Sequence, residues 1–150
     1  MTATTMDGAG GKAPWHLWAV GGLSLLWNAY GAYDYLMTQT RGEAYLREMK
    51  MTDAMIAYMD AMPAWTSVFW ALGVWGSVAG SVLLLMRRRW AFHAFAVSLL
   101  GLVVSMIYSF LLSDGGKVMG AASYMYVVIT AAVLFFLWYA RLMTAKGVLR

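Results

Sequence analysis

The chain of 150 residues contains no cysteine, only two prolines, and 12% charged residues. Without cysteine there are no disulfides, no thiolate metal sites and no thiol redox chemistry. Soluble domains carry about 25% charged residues, so the scarcity of charge here argues against a water-exposed fold. Several other patterns are also missing. There is no HExxH, no phosphate-cradling glycine loop, no nucleophile elbow, and no pair of carboxylates on one apolar face for acid–base work. These absences leave no catalytic residue and no metal or cofactor site to nominate, and an enzyme is not expected.

Apolar residues dominate what remains, at 62% of the sequence. They gather into four runs of 23 residues, 15–37, 64–86, 90–112 and 118–140. At 1.5 Å per residue such a run reaches roughly 35 Å, enough to cross about 30 Å of hydrocarbon. Alternating barrel strands are not seen, so helices are the spanning form. The expected fold is therefore all-α, a four-helix transmembrane bundle over residues 15–150. Residues 1–14, rich in Thr, Gly and Ala, are expected to be a disordered, retained tail rather than a signal peptide.

Basic residues set the expected orientation. Lys12, Arg87, Arg88, Arg89, Arg141, Lys146 and Arg150, seven in all, fall on one side; Arg41, Arg47, Lys50 and Lys117, four, fall on the other. The positive-inside rule places both termini and the Arg87–Arg89 turn in the cytoplasm. The net charge of +4 is accounted for in this way, and nucleic acid is not an expected partner; the lipid bilayer is. Anionic lipid is a second reading of the triple-arginine turn. Aromatic residues near the span ends, including Trp15, Trp18, Trp90 and Trp138 inside and Tyr33, Trp65 and Tyr124 outside, agree with these boundaries.

The only long connection is 38–63. Met55, Ile56, Met59 and Met62 recur at helical spacing, Thr52 is an N-cap residue type, and Pro63 is a stop. One short amphipathic helix on the outer membrane face is expected there; a lid over the bundle is the sharper alternative.

Small residues mark the expected helix contacts. The second span holds Gly76 and Gly80 as a GxxxG pair, with Gly73, Ser77 and Ser81 in the adjacent row. The third holds Ala94, Ser98, Gly101, Ser105 and Ser109; the first holds Gly21, Ser24, Asn28, Gly31 and Tyr35. Such seams let backbones approach closely, within a bundle or across a homodimer or larger complex. Asn28 lies deep in its span, as an interhelical hydrogen bond or as a substrate ligand. Asp34 lies about a turn from the outer end, within reach of Arg41 on the same face, or with Trp27, Tyr30 and Tyr33 as part of an aromatic vestibule, so that Asn28, Tyr30, Asp34 and Tyr35 are the candidate substrate or packing residues. The packing readings are preferred. His16 and His93 approach the same level, which raises a bis-histidine haem only weakly.

The stretches PWHLWAVGGLSLLWNAYGAYDYLMTQTR, ALGVWGSVAGSVLLLMRRRWAFHAFAVSLLG and LWYARLM resemble those of a group of small bacterial inner-membrane proteins often labelled sugar transporters. The resemblance implies a multi-pass protein of the bacterial inner membrane. It raises transport of a small solute, acting as a homo-oligomer, as the alternative to a non-enzymatic accessory or structural role. It carries over no site residue.

Overall fold

The computed structural model describes residues 12–150, and every regular element among them is helical. The helices are α1 (Trp15–Arg41), α2 (Glu43–Glu48), α3 (Asp53–Asp60), α4 (Ala64–Leu85), α5 (Trp90–Ile107), α6 (Gly115–Met119) and α7 (Tyr124–Ala145). A π turn, Tyr108–Leu112, prolongs α5, and a 3-10 turn, Gly120–Ser123, leads into α7. The expected tail lies outside the described residues except at its end, where Ala13 packs on the core.

Three stretches are long and apolar enough to cross a membrane: Ala64–Leu85, Trp90–Leu112 and Gly115–Ala145. The first run, α1, has the length at 27 residues but is not among them. Its glycines, tyrosines, Asn28, Asp34 and Arg41 dilute the apolar character that its leucines supply.

The long helices pack in chain order, α1 on α4, α4 on α5, and α5 on α7. Alternating direction puts the Arg87–Arg89 turn, the start of α1 and the end of α7 together; this is the basic end. The six described carboxylates, Asp34, Glu43, Glu48, Asp53, Asp60 and Asp114, all belong to the opposite, capped end.

Backbone approach is closest between α4 and α5. A Cβ at Gly101 would stand 2.5 Å from the Phe69 carbonyl oxygen, and one at Gly76 would stand 3.1 Å from that of Ala94. Gly80 receives the Phe95 ring. The Gly76–Gly80 face is thus filled by α5 of the same chain. Close packing of this kind replaces the hydrophobic driving force that lipid does not provide.

At the basic end, Leu17, Leu84, Phe95, Phe136, Tyr139 and Met143 form the main buried cluster. It is sealed by a segment that the sequence reading did not anticipate. Gly147, at φ +71°, ends α7 in a Schellman motif, with Val148 N–H donating to Met143 O and Gly147 N–H to Thr144 O. The chain then turns back, burying Val148 and Leu149 in the cluster. Arg150 pairs with the α4–α5 turn: its N–H donates to Arg87 O at 2.8 Å, and Arg89 N–H donates to Arg150 O at 3.0 Å.

The capped end corrects the expectation of a single helix in the first connection. The first helix runs on to Arg41, and two short helices follow rather than one. Gly42, at φ +56°, breaks the helix between α1 and α2, a backbone state that glycine adopts without steric penalty. Thr52 caps α3 by accepting from Met55 N–H, and Pro63 precedes α4. Tyr45, Leu46 and Ile56 form a small buried cluster with Met37, Met51 and Met59 against it. Tyr58 reaches across to the Ser113 hydroxyl at 2.7 Å, tying α3 to the α5–α6 turn.

Candidate functional site

The polar residues singled out from the sequence divide between two places. Asn28 belongs to a buried seam where α1, α4 and α5 meet; Asp34 belongs to the capped end.

The seam is built from hydroxyls at helical spacing. Leu17, Gly21, Ser24, Asn28 and Ala32 are the buried positions of α1, and Thr66, Ser77, Gly80, Ser81 and Leu84 those of α4. Asn28 Nδ2 donates to Ser81 Oγ at 2.9 Å, Ser24 Oγ at 3.2 Å and the Ser77 carbonyl at 3.3 Å. A carbonyl can only accept, so that last contact fixes which amide atom is the nitrogen. The hydroxyl directions follow in the same way. Ser81 donates to Ser77 O, so the Ser24 hydroxyl is the donor in its 2.5 Å contact with Ser81. Ser98 donates to Gly73 O at 2.6 Å, so Ser77 is the donor to Ser98. Every hydroxyl proton in the seam has an acceptor inside the protein. No fully buried side-chain nitrogen or oxygen among the described residues lacks a partner.

Ser105 lies further along α5 and turns its hydroxyl back onto Gly101 O. Gly31 stands apart from the expected seam, with no atom within 4 Å of a Cβ placed there. Ala32 takes the buried position instead. At 100° per residue the two lie roughly 50° to either side of the Leu17–Asn28 line, so periodicity alone cannot choose between them; the crossing of α4 does.

At the capped end, Asp34 accepts a hydrogen bond from the Tyr45 hydroxyl at 2.8 Å. The pairing with Arg41 expected from the sequence is not formed. Arg41 instead forks onto Glu48, with Nη1 donating to Oε2 at 2.9 Å and Nη2 to Oε1. The turn at Gly42 carries Glu48 back beside Arg41 and brings Tyr45 over Asp34. Burial, and then the bond to the Asp34 carboxylate, push the Tyr45 phenol up to about 12. The Glu48 carboxyl is lowered by its bond to Arg41.

The aromatic residues of α1 do not converge on one vestibule. Tyr30 and Tyr33 are exposed, and Tyr33 meets Tyr45 edge-on. Tyr35 packs edge-on against Trp70 and Trp75 of α4. The two histidines also have separate neighbours: His16 Nδ1 lies 2.5 Å from the Tyr139 hydroxyl, and His93 packs beside Trp90 and Phe92. Among the described residues, no group of three or more His, Asp or Glu gathers as metal ligands.

Two cavities open at the basic end. One, of about 260 Å³, is lined by Met86, Arg87, Arg88 and Arg150. The other, of about 410 Å³, lies between the start of α5 and the end of α7. The π turn at Tyr108–Leu112 is a further feature missing from the sequence reading. Its available signal was Ser113, whose hydroxyl donates back to Tyr108 O at 2.8 Å.

This geometry defines an all-α protein with three helical segments suited to a membrane. No family model, curated protein or solved structure matches the chain.

Proposed function

We propose that the chain is a four-span protein of the bacterial inner membrane with both termini in the cytoplasm. Its role in this reading is non-enzymatic, accessory or structural, with contact to a homodimer partner or larger membrane complex through its lipid-facing surface. The observation that carries the role is the self-contained seam. Asn28 spends its donors on Ser24, Ser77 and Ser81, so its amide nitrogen serves as a register pin between helices. The fourth span is α1, whose 27 residues reach roughly 40 Å at 1.5 Å per residue and whose seam lies against α4. The orientation rests on the seven basic residues grouped at the Arg87–Arg89 end.

The second reading is passage of a small solute, sugar included. It is favoured by one atom: Asn28 Oδ1, which is not fully buried, takes no hydrogen bond from the described residues, leaving an acceptor for an incoming donor.

Cysteine accessibility separates the two, because the native chain has no thiol. Asn28→Cys, Gly31→Cys and Asp34→Cys variants in intact cells are treated with a membrane-impermeant maleimide. Labelling at position 34 alone fits a closed bundle facing outward with its capped end. Labelling at position 28 as well would replace the structural reading with an aqueous path. Protection of all three positions, together with labelling of a Lys146→Cys variant, would reverse the proposed orientation.

A further inference from the structure

At the basic end, two arginines carry charge that no side-chain carboxylate among the described residues neutralises. The ion pairs of Arg41, Arg47 and Lys117 with carboxylates lie at the capped end. No side-chain carboxylate among the described residues lies within 4 Å of the Arg89 or Arg141 guanidinium. These two arginines, with His93, stand around the cavity of about 410 Å³ between α5 and α7; Phe92, Thr144 and Ala145 complete its wall. The volume falls within the range of small-ligand pockets, roughly 300–1,000 Å³. Thr144 turns its hydroxyl back to Ala140 O at 2.8 Å, so the charged groups at the rim are the ones left for a ligand.

The faces leading away from the cavity are apolar. On α5, Val97 and Leu100 follow His93 at four- and seven-residue spacing and are exposed; on α7, Trp138 and Leu134 precede Arg141 at three- and seven-residue spacing and are exposed. A charged mouth therefore opens onto two aligned apolar strips. A ligand that fills this arrangement carries an anionic phosphate at one end and hydrocarbon at the other.

We propose that the α5–α7 cavity binds an anionic phospholipid, with its phosphate held by Arg89 and Arg141 and its acyl chains laid along Val97, Leu100, Leu134 and Trp138. Guanidinium groups suit this role because their forked donors match phosphate oxygens. The inference rests on the membrane reading above, but not on which side of the bilayer the basic end faces.

Native mass spectrometry of the full-length protein in zwitterionic detergent tests it, with added phosphatidylglycerol or phosphatidylcholine. Retention of one phosphatidylglycerol, with phosphatidylcholine lost, is the expected result. Each arginine facing an anionic lipid is worth about fivefold, so R89Q/R141Q weakens retention by about 25-fold. Arg88→Gln removes the same kind of charge from the neighbouring turn, outside this cavity, and leaves retention within about twofold of wild type.

Equal retention of both lipids would overturn the proposal. So would an equal loss in Arg88→Gln and R89Q/R141Q, which would reduce the effect to diffuse charge. Full displacement by inorganic phosphate would assign the site to the free ion instead. The lipid comparison and the phosphate competition use the wild-type protein, so they decide the matter even if the double variant does not fold. Because binding is read in detergent, a maleimide result that inverts the topology leaves this test standing.

Discussion

Asn28 of α1 and Ser81 of α4 are joined side chain to side chain, 2.9 Å apart, at a site where both residues are buried. The same Ser81 hydroxyl accepts from Ser24 and donates to Ser77 O, so this one hydroxyl ties α1 to the seam that continues into α5. In lipid the backbones are already satisfied within each helix. Side-chain bonds of this kind therefore decide which faces meet and in what register.

Replacement of Asn28 by leucine keeps the branched shape and removes all three donor contacts. Interhelical hydrogen bonds in membranes contribute about 0.6–2 kcal/mol, so Asn28→Leu is expected to destabilise the bundle within that range. Thermal unfolding in detergent reads the loss. A double-mutant cycle with Ser81→Ala is expected to show a coupling above about 0.5 kcal/mol. Additive effects would mean that the bond contributes nothing to the packing of α1.

Two glycines give opposite forecasts. A Cβ at Gly101 would meet the Phe69 carbonyl oxygen at 2.5 Å and Gly73 N at 2.6 Å, both backbone atoms that cannot swing aside. Gly101→Ala must push α4 from α5, and overpacking of this sort costs about 1–3 kcal/mol. Gly22 has nothing within 4 Å, and alanine is the better helix former by about 1 kcal/mol at most. Thermal unfolding should thus fall for Gly101→Ala and hold or rise for Gly22→Ala. The reverse order would contradict the α4–α5 contact.

The sequence was most legible where one physical signal acts alone. The third apolar run, Trp90 to Leu112, coincides with one of the membrane-length segments in the structure. Thr52 marks the start of α3 through a hydroxyl cap that needs no tertiary information, and Pro63, expected as a stop, lies past the end of α3 and directly before α4. Where two partners compete, the sequence was silent. Arg41 had Asp34 and Glu48 both at seven-residue spacing, and the positive φ at Gly42 selected Glu48 by folding α2 back. The docking of Val148 and Leu149 depends on where the α4–α5 turn stands in space. Its one local sign was Gly147 followed by two apolar residues, the pattern of a Schellman stop.

Tyr45 links the capped end to pH. Its phenol is raised to about 12, first by burial and then by the Asp34 carboxylate, from an ordinary value near 10. Below about pH 10 the phenol is neutral in both folded and unfolded chains, and its contribution to stability is fully present. As pH rises from about 10 towards 12, the unfolded chain releases the proton first, so that contribution is lost. Alkaline titration followed by tyrosinate absorbance should show a phenol ionising near 12 that disappears in Tyr45→Phe. An unchanged titration curve in the variant would mean that Tyr45 is not held over Asp34.

Lys50 provides the last test, because its backbone rather than its charge is unusual. It sits at φ +60°, one residue past the cap of α2. There Met51 N–H donates to Leu46 O and Lys50 N–H to Arg47 O, closing a Schellman turn. A side chain in this left-handed state costs roughly 1–2 kcal/mol, whereas glycine adopts it freely and loses about 0.5–1 kcal/mol in unfolded-chain entropy. The difference favours glycine by about 1.5 kcal/mol at most. Lys50→Gly should therefore raise the unfolding temperature slightly, and Lys50→Val should lower it, since a β-branched residue fits this state worst. Because α2 and α3 share the Tyr45–Leu46–Ile56 cluster, the same pair should shift protease sensitivity of the 38–63 connection in opposite directions. If valine and glycine behave alike in both measurements, the turn is not what holds the cap in place.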